Sequence, residues 1–254
     1  MQIAAQLYTI RDFVRTEQDI RESLKKIKDM GYNSIQVSGF GPIEPNVLNE
    51  IVKENELEIC LTHMPYDRIV NDTKNLIAEH KLWNCDYIGL GAMNPEFRAG
   101  KEGYDAFLNS ISRAVDEIYD VGLKFMYHNH NFEFEKIDGD LNGFEYIINK
   151  TTPEKVGITA DFYWIQAGGA SPVQYIEKYA NRFDIVHFKD MTVIKSEMVM
   201  AEIFEGNMDY KAIYDACIKN NVKYAAVEQD ICRRNPFESL KISLDNINKY
   251  CINA

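Results

Sequence analysis

The chain has 254 residues, 28 of them Lys or Arg and 39 Asp or Glu, for a formal net charge of −11 with the histidines neutral. That balance excludes a phosphate-tracking nucleic-acid binder, which needs clustered positive charge to release counterions. With 46% hydrophobic and 26% charged residues the composition is globular rather than fibrous or disordered, and the length suits a single (β/α)8 barrel of ~250 residues.

Short β-branched or aromatic runs alternate with longer amphipathic stretches, the pattern of βα units around a parallel sheet. The first predicted strand, Gln2 to Tyr8, runs into Tyr8-Thr9-Ile10-Arg11. No G-x-G-x-x-G or P-loop follows it, so the phosphate cradle of nucleotide-binding open sheets is missing. Ile20, Leu24, Ile27 and Met30 then recur at helical spacing. Gly31 follows, where a left-handed residue ends a helix, and Ser34 to Ser38 is the second strand. Glu58 to Thr62 and Tyr87 to Gly91 are the third and fourth. Phe107, Ile111, Ala114, Val115 and Ile118 form another helical stripe, closed by Gly122 before the fifth strand, Lys124 to His128. Val156 to Asp161 is the sixth. Ser171-Pro172 opens the next helix with a capping oxygen and a first-turn proline. Ile185 to Phe188 and Tyr224 to Glu228 complete the strands, and Asn235-Pro236 opens the last helix.

No linker, repeat or low-complexity stretch divides these units, which predicts one domain over residues 1–254, an α/β single (β/α)8 TIM barrel. The rhythm alone also suits an open doubly wound sheet. No apolar run approaches the ~20 residues that cross a bilayer, and the opening MQIAAQLYTIRDF carries no basic leader. A cytoplasmic protein with no membrane partner and no nucleic-acid partner is expected. Cys60, Cys85, Cys217, Cys232 and Cys251 are scattered without a C-x-x-C pair, so they are read as reduced packing residues. The methionines are read as packing residues too.

Barrels of this kind place their active sites at the C-terminal ends of the strands. His63, His128, Asp161, His187 and Glu228 all stand at such ends, so closure would gather them at one mouth. Asp161, His187 and Glu228, from three successive units, offer the oxygen and nitrogen donors that divalent Mn, Co, Zn or Mg accepts. Singly, a strand-end acid can be just a helix cap, and His187 a hydrogen-bonded core residue. Together they repel one another unless a cation or substrate offsets the charge.

The fifth unit reads Tyr127-His128-Asn129-His130-Asn131-Phe132-Glu133-Phe134. Period-two alternation puts His128 and His130 on the same side, and His130 and Glu133 are read first as braces of the loop. Phe162-Tyr163-Trp164 with Gln166 suggests an aromatic wall for the apolar face of a sugar ring, or ordinary core. Lys189, and Arg233 with Arg234, supply cations for a carbonyl oxygen, hydroxyl or phosphate. For at least one of the two arginines a solvated surface charge is the plainer reading.

Six segments carry a family resemblance: Gln6-Leu7-Tyr8-Thr9 with Arg11; Thr62-His63-Met64-Pro65; Tyr127-His128-Asn129-His130 with Phe132-Glu133-Phe134; Asp161-Phe162-Tyr163-Trp164; His187-Phe188-Lys189-Asp190; and Val227-Glu228-Gln229-Asp230. As a set they make nearly the whole chain resemble the xylose isomerase-like barrel superfamily, in particular the bacterial sugar phosphate isomerase/epimerase group related to endonuclease IV. The resemblance implies a metal-dependent isomerase or epimerase that acts on a sugar or keto-sugar by proton abstraction beside a metal-chelated carbonyl. Of the Glu, Asp, His and Glu that bind the ion in metal-dependent relatives, the last three fall on Asp161, His187 and Glu228. His128 stands where the first glutamate would be, and Trp164 where epimerases often carry a histidine.

On that reading one divalent ion (Mn2+, Co2+, Zn2+ or Mg2+) is held by Asp161, His187, Glu228 and His128. Glu228 or His128 is the base and Lys189 steadies the oxyanion. Tyr8, His63, His130, Trp164, Gln166 and Arg233 contact a small sugar-like substrate, and homo-oligomers are common in the group. The histidine at the first ligand position keeps a lyase or dehydratase acting on a keto-sugar or keto-glycoside as the alternative. A metal-free sugar-binding barrel is a second alternative. A multi-zinc DNA-repair endonuclease is disfavoured by the five histidines in all and the charge of −11.

Overall fold

All eight predicted strands form. In the computed structural model, which describes residues 1–252, they are β1 (Gln2–Gln6), β2 (Ser34–Val37), β3 (Glu58–Met64), β4 (Tyr87–Leu90), β5 (Lys124–His128), β6 (Val156–Asp161), β7 (Ile185–Phe188) and β8 (Tyr224–Val227). Every neighbour pair is parallel, and β1 closes the barrel by pairing with β8 from Gln2 opposite Tyr224 to Ala5 opposite Val227. The open-sheet alternative is thereby excluded.

Three strands, β2, β4 and β8, end one residue earlier than the sequence reading, and two boundaries differ by two residues for local reasons. β1 stops at Gln6 because its side chain accepts the Tyr8 N–H and starts a 3-10 turn over Leu7–Phe13. β3 continues to Met64, which pairs with Leu90, and so carries His63 inside the strand.

The helices bury the predicted stripes. Ile20, Leu24 and Ile27 are buried on the helix Glu17–Asp29, whose start is fixed by a reciprocal capping box between Thr16 and Asp19, worth about 1 kcal/mol. Phe107, Ile111, Ala114, Val115 and Ile118 are buried on the helix Gly100–Asp120. Each large side chain among them contributes about 1.5–3 kcal/mol of burial. Ser171 and Asn235 cap their helices as expected. Inside the barrel Ala4, Leu61, Tyr87, Met126, Ile185 and Ala226 pack together. A Cβ on Gly157 of β6 would lie 2.4 Å from Met126 Sδ, so the methionine would have to shift to admit one.

The βα rhythm does not announce two antiparallel ribbons. One, Lys136–Asp138 with Leu141–Asn142, follows β5; the other, Asp190–Ile194 with Glu197–Ala201, follows β7. Asp190 ties the second down by accepting the backbone N–H groups of Met191, Phe204, Gly206 and Met208. Met191 and Met200 pack inward from this ribbon against Tyr163, whereas Met198 is 57% exposed and is not a packing residue. No helix among the described residues is long and apolar enough to cross a membrane.

Candidate functional site

β5 ends on His128 and β6 on Asp161, His187 lies in β7, and Glu228 follows β8 by one residue. All four are buried, and one ligating atom from each lies within 4.8 Å of the others. His128 Nε2 is 3.3 Å from Asp161 Oδ2. His187 Nδ1 is 3.6 Å from the same oxygen and 2.9 Å from Glu228 Oε2.

The outer nitrogens of both rings are occupied. His128 Nδ1 lies 2.7 Å from the Gly91 carbonyl and His187 Nε2 lies 2.8 Å from Gln36 Oε1. Both partners are acceptors, so each ring donates outward and its inner nitrogen faces the two carboxylates. His187 Nδ1 and Glu228 Oε2 are left without a hydrogen-bond partner. Burial would lower the His187 pKa, yet Glu228 and Asp161 outweigh it and hold it raised; the space between these atoms favours positive charge. Two imidazoles with outer nitrogens bonded to acceptors and two carboxylates, with all four ligating atoms within 4.8 Å of one another, make a nitrogen and oxygen donor set of the kind a divalent ion accepts. The donor set fits a divalent ion.

Lys189 lies against the same oxygens. Its ammonium is 2.9 Å from Asp161 Oδ2, 2.8 Å from Glu228 Oε2 and 2.7 Å from Asp230 Oδ2, with the side chain wholly buried. The contact to Asp230 is a hydrogen bond, and those to Asp161 and Glu228 are ion pairs. Its charge balances the three acids. Burial would raise Asp161 and Glu228, but Lys189, with the histidines, holds both well below the usual carboxylate range.

A cleft of about 540 Å³ opens over this cluster, lined among others by Tyr8, His63, His128, His130, Glu228 and Asp230. Asp161 also serves as the helix cap its position allowed: Oδ1 accepts the Trp164 N–H while Oδ2 stays with the cluster. The Trp164 ring lies 5.5 Å from that of His130 and 5.6 Å from Lys189 Nζ. His63 Nε2, His130 Nδ1 and Trp164 Nε1 are buried without partners. Burial, with the neighbouring imidazoles, keeps His63 far below its ordinary pKa and takes His130 down to about 3. Both rings are neutral.

Three expected substrate contacts, Trp164, Gln166 and Arg233, are outside the cleft lining. Gln166 is exposed and outside the cleft lining, because the helix begun at Asp161 turns it about 200° from Trp164. Arg233 is also exposed and outside the lining, and Arg234 pairs with Glu202 and Glu205. Glu133 is the expected brace, accepting from the Tyr127 hydroxyl and the His130 N–H at 2.6 and 2.8 Å. His130 is not a brace, since its ring faces the cleft.

Gln6, Gln36 and Asp230 were not singled out by sequence reasoning. Gln6 Nε2 donates to Glu228 Oε1 at 2.7 Å. Asp230 carried a usable signal, since alternation from Glu228 returns it to the same side. Polar glutamines inside the short strands β1 and β2 were a weaker one.

A closed eight-stranded parallel barrel with this buried group at its mouth defines a class of barrel that the comparisons with known proteins identify. The family described as xylose isomerase-like TIM barrel matches residues 24–236, and the chain belongs to it. An inosose dehydratase of Lactiplantibacillus plantarum is 23% identical, with 93% of this chain and 90% of that protein covered. Among solved structures, a sugar phosphate isomerase/epimerase from Parabacteroides distasonis superposes with a TM-score of 0.81 at 22% identity over 98% of both chains. A probable 3-DHS dehydratase from Bacillus anthracis superposes with a TM-score of 0.75 at 14% identity, covering 98% of this chain and 99% of that one. Likeness at these identities speaks for the shared fold.

Proposed function

We propose that the protein is a metal-dependent lyase of the dehydratase type, which eliminates a hydroxyl or alkoxy group β to the carbonyl of an uncharged keto-sugar. The carrying observation is the one ammonium shared by Asp161, Glu228 and Asp230. It gathers the acids on one side, whereas epimerisation by paired carboxylates needs one on each face of the reacting carbon. The dehydratase names among the sequence relatives support the same reading.

His128, Asp161, His187 and Glu228 would hold the ion, which when bound polarises a carbonyl and its neighbouring hydroxyl and so acidifies the adjacent C–H. Gln6 orients Glu228 through Oε1, and Gln36 and Gly91 orient the two imidazoles. A proton leaves the carbon beside the carbonyl. The substituent on the next carbon departs with its bonding pair and leaves as water or an alcohol once it takes a proton. His63 and His130, neutral and with unpartnered ring nitrogens, are placed to hold or move that proton. The Trp164 ring, beside His130 and Lys189, offers an apolar face to the sugar.

The substrate is unphosphorylated on this reading. The cleft lining contains Asp67, Glu228 and Asp230 and neither lysine nor arginine, so a phosphate dianion would enter a negative site with no free cation to meet it. The test is incubation of the Mn2+-loaded enzyme with a keto-sugar in D2O, followed by NMR and ultraviolet absorbance. Elimination gives an enone chromophore and a vinylic proton. C–H exchange with recovery of saturated sugar alone would assign the protein to the isomerase or epimerase branch instead.

A further inference from the structure

Beside the cleft lies a second cavity of about 560 Å³, and Ser38, His63, Met64 and Pro65 line both. Its remaining wall is largely apolar: Phe40, Pro42, Ile43 and Leu48 with Trp83. The charged pair there is self-contained, since Arg68 donates to both oxygens of Glu79 at 3.0 and 3.1 Å. Trp83 is fixed by its Nε1 donating to the Pro45 carbonyl at 2.9 Å.

The loop that roofs this annex is built in place. Gly41 donates to the Val14 carbonyl at 2.8 Å, and a Cβ on it would lie 1.9 Å from the Arg15 carbonyl oxygen. Gly39, at φ +72°, packs where a Cβ would lie 2.9 Å from Tyr8 Cδ2, and Tyr8 lines the first cleft. The polar mouth and the apolar annex thus share a wall and a fixed loop. At their seam stands His63, whose Nε2 is buried and unpartnered.

We infer that the annex is a second subsite, which takes an apolar or aromatic group joined by a glycosidic oxygen to the keto-sugar in the mouth. The substrate class is then a keto-glycoside, and the departing group is its aglycone. This deepens the elimination reading above and rests on it. In a 3-keto-glucoside the carbonyl is at C3; the C2–H proton leaves, the C1–C2 double bond forms, and the C1–O bond breaks with its electron pair going to oxygen. That oxygen takes up one proton, so one keto-glycoside gives one enone and one alcohol or phenol, with no oxidant or reductant. A cavity walled by aromatic and aliphatic side chains with two polar groups, Ser38 and His63, at the junction suits such a two-part ligand; a free monosaccharide has nothing to place in it.

The test uses the methyl and phenyl C-glycosides of 3-keto-glucose, in which carbon replaces the glycosidic oxygen and the aglycone cannot leave. Titration calorimetry on the Mn2+-loaded enzyme should show the phenyl compound binding at least ten-fold more tightly. Ile43→Glu should remove that advantage and leave methyl affinity within two-fold, and Pro42→Glu, at an exposed position of the same loop, should act in the same direction. Equal affinity for the two compounds, or a phenyl preference untouched by both variants, overturns the annex and leaves the elimination reading standing. Binding of neither compound overturns both.

Discussion

The Lys189 ammonium and the Asp161 carboxylate stand 2.9 Å apart, both wholly buried, one from the strand end of β7 and the other from that of β6. The same nitrogen reaches Glu228 and Asp230, so one positive charge at the barrel mouth is set against three acids. A cation that sits among oxygens able to hold an ion would control how tightly such an ion is held.

Removing that charge strands the acids. Lys189→Met is expected to cost about 3–5 kcal/mol, the range for a buried charge deprived of its partner. Added Mn2+ or Co2+ should recover part of the loss, because the donor cluster accepts positive charge from either source. Thermal unfolding of wild type and variant, with and without the metal, checks this. An equal Tm gain from metal in the two proteins would show that Lys189 and the ion do not share the site's electrostatics.

Chelation should act on stability as well as activity. A ligand bound only by the folded state stabilises it by RT ln(1 + [L]/Kd), about 2.7 kcal/mol at one hundred times Kd. Dialysis against EDTA is therefore expected to lower Tm and abolish enone formation, with both restored by Mn2+ or Co2+. His187→Ala, which removes one donor of the group, should show no metal-dependent Tm shift. A wild-type protein whose Tm and turnover ignore EDTA would favour the metal-free barrel.

The barrel and the meeting of His128, Asp161, His187 and Glu228 were legible because both follow from periodicity. Strand ends at His128, Asp161 and Glu228 fall where the apolar alternation stops, and closure brings them together. Lys189 was visible as a cation but not as a clasp, because its three partners come from β6 and from the segment after β8, and their convergence is a tertiary fact. The ribbon after β7 was missed for a local reason. Its turn residues Lys195 and Ser196 both adopt positive φ, 51° and 69°, the arrangement that hairpins normally signal with Asn-Gly. Gln166 was misplaced because the segment after Asp161 winds into a helix, where residues two apart face different ways. The annex behind His63 had no sequence signal, as its walls come from the loop after β2, the end of β3 and three helices.

His80 carries a pH-dependent share of stability outside the site. It accepts from the Thr62 hydroxyl at 2.8 Å and bonds the Leu76 carbonyl at 2.7 Å through its other nitrogen, and burial takes its pKa down to about 4 from 6.5. Between those values the unfolded chain binds a proton that the native state does not, so this contribution is complete above pH 6.5 and lost as pH falls through 4. The span amounts to about 3 kcal/mol. The stability gap between wild type and His80→Gln should narrow from pH 7 to pH 4 in urea titrations. A gap constant with pH would mean that His80 is not held neutral.

Glu133 has the opposite sign. Burial pushes its pKa up to about 7 from 4.5, against the pull of its bonds from Tyr127 and His130. The native state therefore binds the extra proton between pH 4.5 and 7, and stability from this group is complete below 4.5 and lost as pH rises through 7. Over most of the His80 window the two groups offset each other, so the wild-type profile is expected to be flatter than that of either variant. Glu133→Gln should gain on wild type in stability between pH 5 and pH 7. Glu133→Ala should instead lose about 1–3 kcal/mol for each of the donors it leaves unpaired. Because one of those donors is the His130 backbone, the alanine variant should also lower kcat more than it raises KM. The pH-dependent gain belongs to the carboxyl's proton and the kcat loss to the loop it pins, so finding the first without the second would separate stability from the placement of His130.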